Sequence, residues 1–453
     1  MKPLMDSAAE RALRYLSVVG TRPVAPDPDA VERLRELDEA LPEGPTDPEQ
    51  VLALLDERCS PATMAMAGPR FFGFVIGGSL PVTLAANWLA TVWDQNTALY
   101  RVTPATAHLE QLALTWLLDL LGLPAESEGA FVTGASVANL CALAAARHGV
   151  YERAGWDVDG DGLVGAPPLT VIVGGEGHPS VFKALGLLGL GRHRVHRVPV
   201  DRQGRMRVDL LPEMAGPTIV CAQAGNVNTG AFDAVEEICA RAHEAGAWVH
   251  VDAAFGLWAG ATPRFAHLTR GIADADSWAT DAHKWLNVPY DSGIAFVRHG
   301  GALRAAMAIT AEYLPTETEH RNPADYTPEL SRRARGVEVW AALKALGRQG
   351  VGDLVERTCR HAQTLARGLS EAGYEVLNEV VLNQVLVSFG DPDTTERVIA
   401  DVQLDGTCWC GGTIWQGFTA MRISVSSWAT TDEDVRMSLD AILRCAAGHR
   451  PAT

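Results

Sequence analysis

The sequence predicts an α/β fold built on a mainly parallel sheet, with a second, smaller α/β lobe at the C-terminal end. Three observations carry this. Between about Pro81 and Arg298, short β-rich runs alternate with helical patterns. Strands spaced by crossover helices pair in parallel and are covered on both faces. From Leu330 onward the pattern changes to long helices followed by a few short strands. Finally, 47% hydrophobic residues against 21% charged describe a globular chain with a large core.

In chain order, the first 70 residues read as peripheral helices. Ala8–Val18, Asp29–Ala40 and Pro48–Arg58 have amphipathic spacing, separated by proline breaks. The uncharged run from Phe71 to Trp93 is long enough to span a bilayer. Gly77, Gly78, Ser79, Pro81 and Asn87 interrupt it, so we read a buried loop leading into a core helix. Candidate strands follow at Ala130–Thr133, Leu169–Val173, Arg194–Val198, Thr218–Ala222, Trp248–Asp252, Ser277–Thr280 and Gly293–Val297. Helices at Val137–His148, Ser180–Leu188 and Asp233–Ala245 lie between them. The tail predicts helices Arg332–Leu346 and Leu354–Ala372, then strands Tyr374–Leu377, Gln384–Phe389 and Ala420–Val425, and a last helix Asp432–Cys445. These readings divide the chain into an N-terminal arm (1–75), a large domain (76–310), a loop region (311–335) and a small domain (336–453).

A net charge of −17 argues against nucleic acid and anionic membrane as partners, since both need a basic face. The N-terminus carries Asp6, Glu10 and Arg11 where a signal peptide needs an apolar stretch. Eight cysteines without framework spacing read as reduced thiols, and the expected compartment is the cytoplasm. No metal site is expected. In WDVDGDGL, Asp157, Asp159 and Asp161 open like a calcium loop, but the twelfth position is Pro168 where a bidentate carboxylate is needed.

Only four of the 38 basic residues are lysines: Lys2, Lys183, Lys284 and Lys344. Guanidinium stays protonated and is no nucleophile, so a sheltered lysine is a candidate for chemistry that Arg cannot do. Lys284 stands out, just past a strand in WATDAHKWLNVPYDSG, between His283 and Trp285. Desolvation there can make its amine reactive. Asp252, in HVDAAFG, ends an apolar run and needs a partner if buried. FVTGASVANL reads as a strand turning through Gly134, Ala135 and Ser136 into a helix whose N-terminus suits an anion. In GGEGHPSVFKA, His178 follows a strand through a glycine-rich turn, where its ring could stack on a planar ligand.

Together these segments resemble the group II decarboxylases that depend on pyridoxal 5'-phosphate (PLP), the family of the aromatic amino-acid, histidine and glutamate decarboxylases. The resemblance runs from GPRFFGF (68–74) through GASVAN, GHPSV, NTGAFD (228–233), HVDAAFG and DAHKWLNVPYD to SRRARGVEVW (331–340) and MRISV. It implies a fold-type I architecture, like that of aspartate aminotransferase, and a homodimer with active sites at the subunit interface. It implies decarboxylation of an L-amino acid to the amine and CO₂. Lys284 would be the Schiff-base lysine and Asp252 the partner of the pyridine nitrogen. His178 would stack on one ring face and Ala254 pack on the other. Ala135 and Ser136 would meet the phosphate, and His283 would bridge cofactor and substrate.

The loop tyrosine that protonates the product carbanion in this family is matched to Tyr326, with Tyr313 as the substitute. Two departures stand out: Val137 where relatives carry Glu, and Gly225-Asn226-Val227 where many have Gly-Thr-Thr, which makes Asn226 the candidate for the lost polar contact. Phe72, Phe74, Ile76 and Leu80 are expected to line an apolar substrate pocket, and Arg422 is a possible grip for a carboxylate. Transamination, aldehyde formation and a non-catalytic role on the same scaffold are the rival readings.

Overall fold

The computed structural model describes residues 1–308 and 320–449, in two compact units. One unit comprises Gly77–Ala362 with Asn378–Gln384; the other comprises Met1–Ile76, Gln363–Leu377 and Val385–Thr453. The N-terminal arm therefore groups with the C-terminal lobe instead of standing apart. The unit boundary falls at Ala362, not at residue 336, within a helical stretch that runs from Gly336 to Glu371 with a break at Gly347.

The larger unit is built on seven strands: β1 (Glu128–Val132), β2 (Thr170–Gly174), β3 (His196–Val198), β4 (Thr218–Gln223), β5 (Trp248–Asp252), β6 (Ser277–Asp281) and β7 (Gly293–Val297). Their order is β1-β7-β6-β5-β4-β2-β3. Only β7 runs antiparallel to its neighbours. All five residues of β5, of β6 and of β7 are buried, as a sheet covered on both faces requires. The helix Ala135–Arg153 supplies Ala138, Cys141, Leu143 and Ala145 to the core, packed with Ala130, Val132 and Trp248. Arg332 and Glu110, both fully buried, form a 2.8 Å ion pair, and Arg332 also donates to the Phe131 carbonyl at 2.7 Å. The hydrogen bond to Phe131 ties the SRRARG segment to β1, the strand that leads into the Gly134 turn.

The helix expected to enter the core, Pro81–Trp93, does not. It buries only Thr83 and Ala90, and leaves Trp88, Leu89, Val92 and Trp93 exposed.

The smaller unit carries β8 (Glu375–Val376), β9 (Gln384–Ser388), β10 (Gly411–Trp415) and β11 (Phe418–Ser424) in the order β10-β11-β9-β8. The arm is stitched in by backbone: Phe72 N–H donates to the Trp409 carbonyl, and the Phe72 carbonyl accepts from Ser424 N–H. Arg70 and Asp434 form a buried ion pair at 2.9 Å. The strand β10 and the helix Pro392–Asp405 went unread in the sequence. Among the described residues, no helix is long and apolar enough to cross a membrane.

Candidate active site

Ligands on open α/β sheets bind beyond the carboxyl ends of the strands. β5 and β6 are adjacent and parallel, with Asp252 in register with Ala279. Asp252 closes β5 on the edge where Asp281 closes β6 and where the turn bearing Lys284 begins. Small residues let the chain fold tightly there. A Cβ on Gly77 would sit 1.7 Å from the Lys284 carbonyl oxygen, and a Cβ on Gly293 would sit 2.4 Å from the Gly134 backbone.

Asp252 is 4% exposed, and neither carboxylate oxygen has a hydrogen-bond partner. A buried carboxylate left in that state is costly, which makes it a seat for a cationic or proton-donating ligand atom. Burial raises its pKa, and His178 and then Lys284 lie close enough to oppose the rise. Asp252 and His178 line the same narrow cavity with Cys221 and Gln223. His178 caps the helix Pro179–Leu187: its Nδ1 accepts from Ser180 N–H at 3.2 Å and lies 2.7 Å from Ser180 Oγ.

Lys2, Lys183 and Lys344 are exposed; Lys284 alone among the lysines is sheltered. Its Nζ lies 3.0 Å from Asp281 Oδ2, and Asp281 Oδ1 accepts from Ala135 N–H at 2.6 Å. An anion thus already sits at the start of the helix Ala135–Arg153, and the Ala135 N–H expected for the phosphate is spent on it. Ser136, on the same turn, is exposed. The Ala254 carbonyl accepts from Asp281 N–H at 2.8 Å, which locks the HVDAA turn to the end of β6.

His283 is 8% exposed and stacks on Tyr290, with ring centroids 4.3 Å apart. Its Nδ1 accepts from Ser292 N–H at 3.1 Å, so the proton of the neutral ring is on Nε2, 3.6 Å from Asp281 Oδ1. Burial lowers the His283 pKa, and burial raises that of Tyr290 to about 12. Asp281 and Tyr290 were missed as functional candidates although both lie in DAHKWLNVPYD. The signal was there: an acid three residues before the lysine, and an aromatic one turn beyond it.

Two expectations are corrected. Asn226 is buried with both ends of its amide committed to its own loop: Nδ2 donates to Gln223 Oε1 at 2.9 Å, and Oδ1 accepts from Asn228 and Thr229 N–H. It builds the turn after β4 and is not presented to a cofactor. Tyr326 is 9% exposed in the core, with the Arg321 guanidinium 3.9 Å over its ring. Arg321 also binds Glu128 and the Gly129 carbonyl, at the amino end of β1. That is the sheet edge opposite to the one where β5 and β6 end. Tyr313, the alternative, lies outside the described residues, as does most of the front half of the expected 311–335 loop region. Finally, Phe72 is 1% exposed inside its unit, while Phe74 stacks on Trp409 and Ile76 packs near Phe71. Leu80 is buried in the larger unit, and Arg422 is partly buried on β11.

Two of the three acids of WDVDGDGL are engaged within the protein. Asp157 caps the short helix Val158–Asp161, and Asp159 binds Arg147 and His148.

Comparison with known proteins places this arrangement. The family model described as the pyridoxal-dependent decarboxylase conserved domain matches residues 30–390. The chain belongs to that family. It is 28% identical over 359 residues to the aromatic-L-amino-acid decarboxylase of Bacillus atrophaeus, covering 77% of this chain and 72% of the relative. It is 30% identical over 342 residues to the acidic amino acid decarboxylase GADL1 of Mus musculus, covering 72% of this chain and 61% of the relative. The crystal structure of Oryza sativa TDC with PLP and tryptamine superposes with a TM-score of 0.90, over 99% of this chain and 97% of that one. At 22% identity that likeness shows the fold, which is fold-type I as expected.

The protein is a PLP-dependent carboxy-lyase acting on an amino acid. The residues present fit the cofactor. An orphaned buried carboxylate faces a cavity shared with an imidazole, and a sheltered primary amine stands at the neighbouring strand end.

Proposed function

We propose that Lys284, Asp252, His178 and His283 form the catalytic centre for decarboxylation of an L-amino acid to the corresponding amine. The observation that carries this reading is Asp252, a buried carboxylate at the carboxyl end of β5 whose oxygens make no hydrogen bond within the protein. PLP supplies an electron sink: its protonated ring accepts the electron pair left at Cα when CO₂ departs.

The chain's own residues do the rest. Lys284 Nζ would hold the cofactor through its amine. Asp252 would keep the proton on the ring nitrogen. His178 would cover one ring face, with Ala254 small enough to let the other face approach the backbone. Ser136, at the start of its helix, would bind the phosphate. His283, held neutral by burial, offers its Nε2–H toward the substrate side. With Tyr326 committed elsewhere, the hydroxyl of Tyr313 is the candidate donor of the proton to Cα.

The exposed apolar face of Pro81–Trp93 supports a homodimer. Eight free cysteines support a reducing, cytoplasmic setting. The test is a panel of L-amino acids scored by mass spectrometry. Amine plus CO₂ from at least one substrate is expected. A keto acid or an aldehyde as the main product would favour the rival reactions on this scaffold.

A further inference from the structure

Below the cofactor-facing groups lies a chain of hydrogen bonds that is wholly buried. Trp248, His250 and Asp252 alternate onto one face of β5. Trp248 Nε1 donates to Ser277 Oγ at 2.9 Å, and Ser277 Oγ lies 3.0 Å from His250 Nδ1. His250 Nε2 lies 2.8 Å from Asn139 Oδ1. Asn139 Nδ2 donates to Ser180 Oγ at 3.1 Å, and Ser180 Oγ lies 2.7 Å from His178 Nδ1. Trp248, His250, Ser277 and Asn139 are 2% exposed or less, and Ser180 is 7% exposed.

The polarity of this chain is determined by its ends. The indole N–H can only donate, so Ser277 must accept from it and pass its own proton to His250 Nδ1. His250 then carries its proton on Nε2 and gives it to Asn139 Oδ1. Burial, which lowers the His250 pKa to about 3, keeps that ring neutral. Asn139 donates to Ser180, whose hydroxyl proton turns to His178 Nδ1. The reverse polarity would leave the Ser277 hydroxyl proton with no acceptor in the chain. It would also point a His178 Nδ1–H at the Ser180 N–H, which lies 3.2 Å from that nitrogen. Buried networks survive when every member is satisfied, and only one direction does that here.

We infer that Asn139, His250 and Ser277 are positioning residues that act through Ser180 to hold His178 as the neutral tautomer protonated on Nε2. The inference rests on the reading of His178 as the residue over the cofactor ring, and it says why the relay is useful. A cationic imidazole in that cavity would compete with the cofactor's ring nitrogen for Asp252. A neutral ring with a fixed tautomer leaves Asp252 for the cofactor.

The test uses holoenzyme labelled with ¹⁵N-histidine and solid-state ¹⁵N spectra, with His178→Gln to identify the His178 signals. The parent should show an unprotonated Nδ1 and a protonated Nε2. Asn139→Asp is nearly isosteric but replaces the donor to Ser180 by an acceptor, so the Ser180 hydroxyl turns away from His178. Nδ1–H of His178 should then appear, and kcat should fall about tenfold, the effect of one buried hydrogen bond, with KM little changed. Adding Ser180→Ala removes the Ser180 hydroxyl as acceptor for that Nδ1–H while keeping the backbone donor, so the double variant should return to Nε2–H. A pure charge effect of the new carboxylate would persist in the double variant, and that result overturns the relay. So does a parent His178 protonated on Nδ1, or an Asn139→Asp spectrum identical to the parent. The tautomer is read without turnover. Correct tautomers in a protein whose cofactor absorbance ignores His178→Gln would support the relay and sink the cofactor role of His178 alone.

Discussion

Lys284 Nζ and Asp281 Oδ2 stand 3.0 Å apart, and the other Asp281 oxygen caps the helix start at Ala135. One carboxylate thus holds the amine at the end of β6 and steadies the turn of small residues beside it. The amine is parked at the sheet edge where Asp252 waits without a partner. This geometry, more than any single motif, supports that edge as the proposed cofactor site.

Asp252→Asn should separate folding from catalysis. Removing an unpartnered buried charge should stabilise the cofactor-free protein at neutral pH by about 1–3 kcal/mol, while turnover falls on the order of 10²-fold or more. The pH sign follows from the raised pKa of the native carboxylate. Above the ordinary value of about 3.9, the native state holds a proton that the unfolded chain has lost. Its contribution to stability therefore falls as pH rises toward the native pKa. Thermal unfolding of the apo-protein across that window should show a downward slope that Asp252→Asn reduces. Equal slopes would mean that the carboxylate is not desolvated.

Tyr326→Phe should leave amine formation within about twofold of the parent, because the ring sits in the core against Arg321 and only its hydroxyl is lost. Tyr326→Ala should instead destabilise the fold by roughly 3–5 kcal/mol, as truncation of a buried aromatic does. Tyr313→Phe should cut amine formation by on the order of 10²-fold, the scale of a lost general acid. Rates and products measured for the three variants check this; a Tyr326→Phe enzyme that no longer makes amine would reverse the assignment.

His283, buried, should titrate below an ordinary histidine, and Tyr290→Ala, by opening the stacked face to water, should move it back toward about 6.5. Histidine chemical shifts followed against pH read this directly. The linkage has the opposite sign to Asp252. Between the native and ordinary values the unfolded chain binds more protons, so this group's contribution to stability rises with pH. An unmoved His283 titration in Tyr290→Ala would show that the stack does not desolvate it.

Leu89 and Val92 are 55% and 67% exposed on the helix Pro81–Trp93. Leu89→Glu combined with Val92→Glu should convert a dimer to monomers in sedimentation at micromolar concentration, with activity lost in step. A parent protein that sediments as a monomer would remove the dimer from the account.

Much of this fold was legible because periodicity and turn chemistry agreed. β5 and β7 carry the bounds read from the sequence, since apolar runs between turn residues leave little freedom. Lys284, Asp252 and His178 were legible because each follows a strand in a distinctive motif. Other features depend on tertiary context. The side chain of Asn226 looked available until its loop was seen to consume it. Tyr326 matched a motif, yet Arg321 and Glu128 hold it at the wrong sheet edge. The Pro81–Trp93 helix read as core because hydropathy alone cannot tell a buried apolar face from an exposed one. Asp281 and the Asn139–His250–Ser277 relay join residues distant in sequence, which no local pattern reveals.

The account turns on Lys284, and the most direct measurement is the visible absorbance and turnover of purified Lys284→Ala beside the parent. The parent should show the absorbance of lysine-bound PLP, which vanishes on borohydride reduction with label fixed at residue 284. The variant should lack that band and release CO₂ at least roughly 10³-fold more slowly. A variant that keeps the band, or decarboxylates at the parental rate, would contradict the assignment.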